Sequence, residues 1–336
     1  VAACPGAAGA GLLDQLTDPV DGRFDASQYL ADNAFGFLPV PIIITEPAVE
    51  GGLGMAGLFF HEDEASSNQR REAMNAVDAD AARYLFPPSV SAIAGAYTGN
   101  GSWFVGGGHL GFFHDGAVRY QGGAGDGDVR LDYYSLGEVT LPRPLTVDTE
   151  AASVLNTVKF KLGKLPLYLG PTQQYIHADL SLNSPLADSG LPDPTGFFTR
   201  SITTSSLGAV LEFDTRDNIF TPMQGFHYEL EYKVYREEIG SDIDYRAVEL
   251  EGLNYVRLAP SWRLGVRVGG EVADSDEPLP PFAQPALTLR GIPAARYQGS
   301  HVGVVETEVT WEVDSRWSVL GFAGAGRAAN SSEAFR

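Results

Sequence analysis

A single cysteine, Cys4, occurs among the 336 residues. No intrachain disulfide can form, and the thiolate clusters that hold structural zinc or iron–sulfur centres are ruled out. Long apolar runs are also missing. A membrane-spanning helix needs roughly 18 to 20 apolar residues, and the longest candidate, Val40 to Thr45, is only strand-length. Basic residues are scarce: 23 Lys and Arg stand against 43 Asp and Glu, a net charge of −20. That balance removes the positive face that a nucleic-acid partner requires. There is no Gly-x-Ser-x-Gly elbow and no paired-histidine metal motif, and the six histidines are scattered. Neither an enzymatic activity nor a cofactor is expected. Asp126-Gly127-Asp128 could in principle hold calcium, but a three-residue acidic turn is usually a solvated turn.

What the chain does contain is strand after strand, separated by Gly, Pro, Asn and Asp. In Gly225 to Glu237 one parity gives Phe226, Tyr228, Leu230, Tyr232 and Val234, and the other gives His227, Glu229, Glu231, Lys233 and Tyr235. Trp262, Leu264, Val266, Val268 and Val272 alternate in the same way with Arg263, Arg267 and Glu271. Val309, Trp311 and Val313 face away from Glu306, Glu308, Thr310 and Glu312. The period is two, not 3.6. A soluble sandwich also alternates, but Leu145 to Leu162, Pro166 to Leu182 and Tyr245 to Pro260 exceed its usual strand of about five or six residues. They suit tilted strands that cross a bilayer and project beyond it. Tyr133, Tyr134, Tyr168, Phe213, Phe220, Phe226 and Trp317 lie near strand ends, where an interfacial girdle belongs.

The pattern predicts an all-β transmembrane antiparallel barrel over 38–336, preceded by a segment over 1–37 with a short helix at Ala26 to Asp32. Thirteen strands are expected, near 38–46, 52–62, 89–98, 102–113, 118–134, 145–162, 165–182, 205–215, 225–238, 245–259, 262–274, 301–313 and 317–328. A helical insert is expected over 69–85 on the periplasmic side, and a long loop over 275–300. Bacterial single-chain barrels normally close with an even number of strands, so the sequence is expected to stop about three strands early.

Two segments carry a resemblance. The first is Glu212-Phe213-Asp214-Thr215-Arg216-Asp217-Asn218 followed by Phe220, Pro222 and Gly225, a strand end that runs into a turn made of turn-forming residues. The second is Leu289-Arg290-Gly291-Ile292-Pro293 followed by Arg296-Tyr297-Gln298-Gly299, between the eleventh and twelfth expected strands. Together they resemble the BamA/TamA (bacterial surface antigen) superfamily of outer-membrane proteins. The opening Pro39 to Pro47 is similar to the first strand of its short members, which lack the periplasmic POTRA receptor domains. The resemblance implies a sixteen-stranded barrel whose sixth extracellular loop folds into the lumen by its Arg-Gly tip.

Independently of the family, a guanidinium can anchor a long loop through hydrogen bonds to carboxylates. Glu306, Glu308 and Glu312 share the inward parity of the next strand, so Arg290 is expected to pair with Glu308 or Glu312. One departure stands out. Many members carry an acid within an aromatic–x–Asp–x–Gly pattern on the thirteenth strand, whereas this chain has Phe322-Ala323-Gly324-Ala325-Gly326. Gly324 takes the acidic position. The resemblance implies a part in inserting or translocating proteins or lipids at the bacterial outer membrane. The expected partners are outer-membrane lipid and lipopolysaccharide, and client or partner proteins of the outer membrane or periplasm. The alternative is a passive or plugged pore with a charged lumen.

Overall fold

The computed structural model describes residues 37–61, 89–136, 139–182, 199–219, 222–314 and 317–335. The alternating segments become thirteen strands: β1 (Leu38–Ile44), β2 (Gly52–His61), β3 (Ser89–Thr98), β4 (Trp103–Phe113), β5 (Val118–Leu136), β6 (Val139–Lys161), β7 (Leu167–Leu182), β8 (Thr199–Asp214), β9 (Gly225–Tyr235), β10 (Tyr245–Ala259), β11 (Trp262–Ser275), β12 (His301–Glu312) and β13 (Ser318–Ala329). They form one sheet in chain order, each strand antiparallel to its neighbours. The expected helices at Ala26 to Asp32 and at 69–85 lie outside the described residues, as does Phe220.

Two strands start earlier than alternation indicates. β6 begins at Val139 rather than 145 and β8 at Thr199 rather than 205. Their first residues, rich in proline in one case and in Ser and Thr in the other, carry no apolar stripe. Pairing supplies what local pattern does not: Ser135 stands opposite Thr140, and Leu180 opposite Arg200. A strand added beside an existing one satisfies its backbone groups whatever its side chains are.

The two ends of the sheet differ. Turns at 114–117, 162–166 and 260–261 are short and gather at one end, while the long 276–300 connection lies at the other. Short turns face the periplasm and long loops the exterior in barrels of this type. Contacts across strands that are not neighbours curl the sheet: Lys159 on β6 pairs with Glu229 on β9, and Arg119 on β5 with Asp214 on β8.

Register fixes which face each side chain takes. Leu211, Leu230 and Leu250 stand side by side on β8, β9 and β10 and are well exposed, forming part of an outward apolar band. Trp262 and Trp311 stack on that face with ring centroids 5.5 Å apart near the periplasmic ends of β11 and β12. The inward face of the same strands carries Glu229, Glu231, Lys233, Glu251, Arg267 and Glu306. Only an outward face in contact with hydrocarbon explains this inversion of the soluble pattern.

In the exterior half the inward face is apolar too. Tyr133, Val147, Ala178, Leu180, Ile202, Tyr235, Ile243 and Tyr245 are buried together, and Leu279, Phe282, Ala283 and Ala295 of the 276–300 loop pack against them. Tyr235 and Tyr245 stack with centroids 3.8 Å apart. The loop is thus held as a hydrophobic lid over a charged lower lumen. Replacing outward Leu230 with Arg in the apolar band is expected to cost about 2–4 kcal/mol. Urea unfolding of vesicle-folded protein measures it; an unchanged midpoint would place Leu230 away from lipid.

Candidate functional site

The 276–300 loop is itself a hairpin. Ala286 bridges Gln298, the Leu287 amide donates to the Tyr297 carbonyl (2.8 Å), and the Gly299 amide donates to the Pro285 carbonyl (3.1 Å). Gln298 braces the arms by donating from Nε2 to the Pro281 carbonyl (2.7 Å). At the tip the Ile292 amide donates to the Leu289 carbonyl (3.1 Å), closing a tight turn with Gly291 at φ +80°. That backbone conformation strains any side chain, so glycine beside the arginine is a geometric requirement.

Arg290 points from this tip onto β12. Its Nη2 donates to Glu308 Oε2 (2.6 Å), and its Nε lies 3.5 Å from Glu306 Oε1. The second contact is an ion pair without hydrogen-bond geometry, since Glu306 Oε1 accepts no hydrogen bond. The guanidinium also sits 4.8 Å over the Phe322 ring of β13. Glu312 is not a partner. It is exposed at the periplasmic end of β12, opposite Ser318, below the reach of the loop tip.

The acid-less position on β13 has a structural use. A Cβ at Gly324 would lie 3.0 Å from Leu289 Cδ2, and one at Gly326 would lie 2.6 Å from Leu287 Cδ1. The two glycines make room for the loop's leucines, so an apolar seat occupies the place where an acid would stand.

A further anchor is Arg267 on β11, which parity marked only as an inward charge. It donates from Nε to Glu251 Oε1 (2.7 Å), and from Nη1 to Glu306 Oε2 (3.0 Å) and to the Thr288 carbonyl of the loop (3.0 Å). Glu251, Arg267, Glu306, Arg290 and Glu308 therefore form one alternating chain of charges across β10, β11, the loop and β12. On the far side of the loop tip, the Ala294 amide donates to Glu46 Oε1 (3.0 Å), just beyond β1. Sequence gave no sign of this contact, which joins residues 248 apart.

The 214–225 motif lies at the periplasmic end, away from the loop. Asp214 accepts from Arg216 Nε (2.9 Å) and Arg119 Nη1 (3.0 Å). Asp217 Oδ1 accepts from the Met223 amide (2.9 Å) and so closes the turn, which includes Asn218. Pro222 is buried, and its carbonyl accepts from Arg263 Nη1 (3.0 Å). Gly225, at φ +110°, passes so close to Thr215 that a Cβ would strike its carbonyl.

Above this turn Glu212, with a side chain 2 % exposed, pairs with both Arg119 and Lys159. Arg119 also lies 3.9 Å over the Tyr168 ring. Alternation does not single out Arg119 and Lys159, because β5 and β6 carry charges on both faces. Glu212, Asp214 and His227 bring potential metal ligands within 4.8 Å of one another. Three cations already neutralise these carboxylates, so the arrangement is an ion-pair cluster and lacks the surplus negative charge a divalent cation needs.

The fold has solved counterparts. The chain is similar to BamA from Haemophilus ducreyi lacking POTRA domains 1–3, with a TM-score of 0.54 and 13 % identity over 87 % of this chain and 57 % of that one. It is also similar to CdiB from Escherichia coli, with a TM-score of 0.56 and 10 % identity over 88 % of this chain and 53 % of that one. The chain spans somewhat over half the length of each. No protein-family model and no curated protein sequence matches it. The likeness is one of fold: an outer-membrane β-barrel wall, consistent with the outward apolar band.

Exposure ranks the two loop anchors. Arg290 is 44 % exposed at its side chain and Arg267 29 %. A pair as open as Arg290–Glu308 lies between a surface bridge and a fully buried one, about 1–2 kcal/mol. Arg267→Ala is expected to release the loop at least as much, because it also removes the donor to the Thr288 carbonyl. Limited proteolysis between 280 and 299 is the readout; faster cleavage in R290A than in R267A would reverse the ranking.

Proposed function

We propose that this chain forms the barrel of a BamA/TamA-superfamily protein that assists insertion or translocation of proteins or lipids at the bacterial outer membrane, without enzymatic chemistry. The observation that carries this reading is the tip Leu289-Arg290-Gly291-Ile292-Pro293 seated on the inward face of β12, where Arg290 meets Glu308 and Glu306. The fold likeness to BamA and CdiB supports the architecture in which such a tip occurs. In this reading the tip is a lock. It pins the loop on β11, β12 and β13, and through Ala294 and Glu46 it also touches the end of β1. The barrel wall next to β1 can rearrange only when the loop lets go. Lipid and lipopolysaccharide are the surroundings, and client or periplasmic proteins the expected partners.

A second reading rests on the charged lumen beneath the apolar lid. Glu231, Glu249 and Glu271 stand in one cross-strand row on β9, β10 and β11, with Lys233 bridging the first two. Such a row would favour cations in a pore plugged by the loop. Planar-bilayer conductance separates the readings: deletion of 280–299 should open a steady cation-selective current if the protein is a plugged pore.

The lock is tested by Glu306→Gln with Glu308→Gln. The double variant is expected to raise loop proteolysis to the level of Arg290→Ala and to slow the assisted folding of a client barrel in vesicles. Client folding at the same rate with wild type, variants and protein-free vesicles would overturn the assistance reading.

A further inference from the structure

The outward face of an outer-membrane barrel should be apolar between its two girdles, because lipid offers no hydrogen bonds. On β3 to β7 one row across it is not. Ser91 on β3, His109 on β4, Gly122 on β5, Asn156 on β6 and Gln173 on β7 stand directly opposite one another in register. All belong to the outward parity, since the inward residues on either side of them include Gln121 and Thr157 in the row with buried Thr172.

These side chains bond to each other. His61 Nε2 lies 2.7 Å from Ser91 Oγ, and Ser91 Oγ lies 2.9 Å from His109 Nδ1. Tyr120 Oη donates to Asn156 Oδ1 (2.8 Å), and Asn156 Nδ2 donates to Gln173 Oε1 (2.9 Å). The gap that Gly122 would leave is filled. A Cβ there would collide with the Tyr120 hydroxyl, so glycine is what lets that hydroxyl lie in the row. His109 and Tyr120 have ring centroids 6.0 Å apart.

The row also climbs. Ser91 lies two residues from the periplasmic end of β3, and Gln173 six from that of β7. With about 3.3 Å per residue and a strand tilt near 40°, these positions stand about 5 and 15 Å above the periplasmic ends. Outward Tyr175, opposite Ser205, comes next, then His177, whose Nδ1 is 2.9 Å from Thr203 Oγ1. Ser201 Oγ donates to Asp179 Oδ1 (2.5 Å) at the top. His177 stands about 25 Å up, the full height of an apolar band.

We propose that this outward polar row is a track along which the headgroups of zwitterionic phospholipids cross the membrane beside the barrel, with their tails remaining in the bilayer. Width argues for a lipid over a protein partner. The row is one residue wide and is flanked by Ile93 and Val105 on one side and by Phe113, Phe160 and Leu169, all exposed, on the other. Acyl chains fit both flanks, whereas a protein interface needs a broad patch. Charge selects the headgroup. No Lys or Arg stands among the bonded residues from His61 to Gln173, so the polyphosphate of lipopolysaccharide finds no fork of cations there. A phosphate–ammonium headgroup can instead exchange hydrogen bonds with the hydroxyl, amide and imidazole groups of the row. Each member keeps spare capacity for this, such as the Nε2 hydrogens of Gln173.

The test uses the full-length protein folded into phosphatidylethanolamine–phosphatidylglycerol vesicles that carry a short-chain fluorescent phosphatidylethanolamine in both leaflets. Serum albumin, too large to pass a barrel lumen, extracts only outer-leaflet label. With wild type the extraction should run to completion; in protein-free vesicles it should stop at the outer leaflet. Asn156→Leu with Gln173→Leu should slow the slow phase by about tenfold or more, the effect of a modestly raised barrier. Tyr120→Phe, which removes one hydroxyl, should slow it less. Asn254→Leu, outward but off the track, should leave it unchanged. Heat-modifiable gel migration reports that each variant is folded. Wild-type vesicles that stop at the outer leaflet, or folded N156L/Q173L that matches wild type, would overturn the proposal. Arg290→Ala leaves the track intact, so a change in loop proteolysis without a change in exchange separates this inference from the lock.

Discussion

A strand surrounded by hydrocarbon has no water to satisfy its amides and carbonyls, so every backbone group must be paired by a neighbouring strand. Everything else in this molecule follows from that constraint. It forces a single meander of antiparallel neighbours, because a strand moved out of order would strand two ladders. It also makes register unforgiving: a slip of one residue would turn Leu211, Leu230 and Leu250 inward and put Glu212, Glu229 and Glu251 into lipid. Specificity of fold here comes from the cost of the wrong face more than from tight packing.

The same rule explains why the lumen is charged and yet orderly. Inward carboxylates on adjacent strands stand directly opposite one another, as Glu212, Glu229 and Glu251 do, an arrangement that repels. Cations from other strands are inserted between them: Lys159 reaches Glu212 and Glu229, and Arg267 reaches Glu251 and Glu306. Lys159 thereby joins strands that the ladder alone does not join. The loop enters this lattice as one more participant, through Arg290, and its leucines rest on glycines of β13.

The molecule is therefore layered. An apolar lid of loop and strand residues closes the exterior half, a lattice of ion pairs fills the lower half, and a braced turn at 214–225 holds the periplasmic ends of β8 and β9. The outer surface repeats the theme of exception: an apolar band crossed by a bonded polar row from β2 to β7.

Alternation in residues 225–274 and 301–313 was enough to determine the strands and their inward and outward faces, because period two is a local property that pairing merely preserves. The motif Leu289 to Pro293 was legible for the same reason: a glycine that permits the turn beside a charge. Parity reduced the partners of Arg290 to three carboxylates but could not choose among them, since Glu306, Glu308 and Glu312 share a face and differ only in height. The early starts of β6 and β8 carried no apolar stripe and were decided by the strands beside them. Contacts between distant positions, Ala294 with Glu46, Arg119 with Glu212, and the row from His61 to Gln173, belonged wholly to the tertiary structure. They depend on how far each strand is shifted against the next, and no single strand records its own shear.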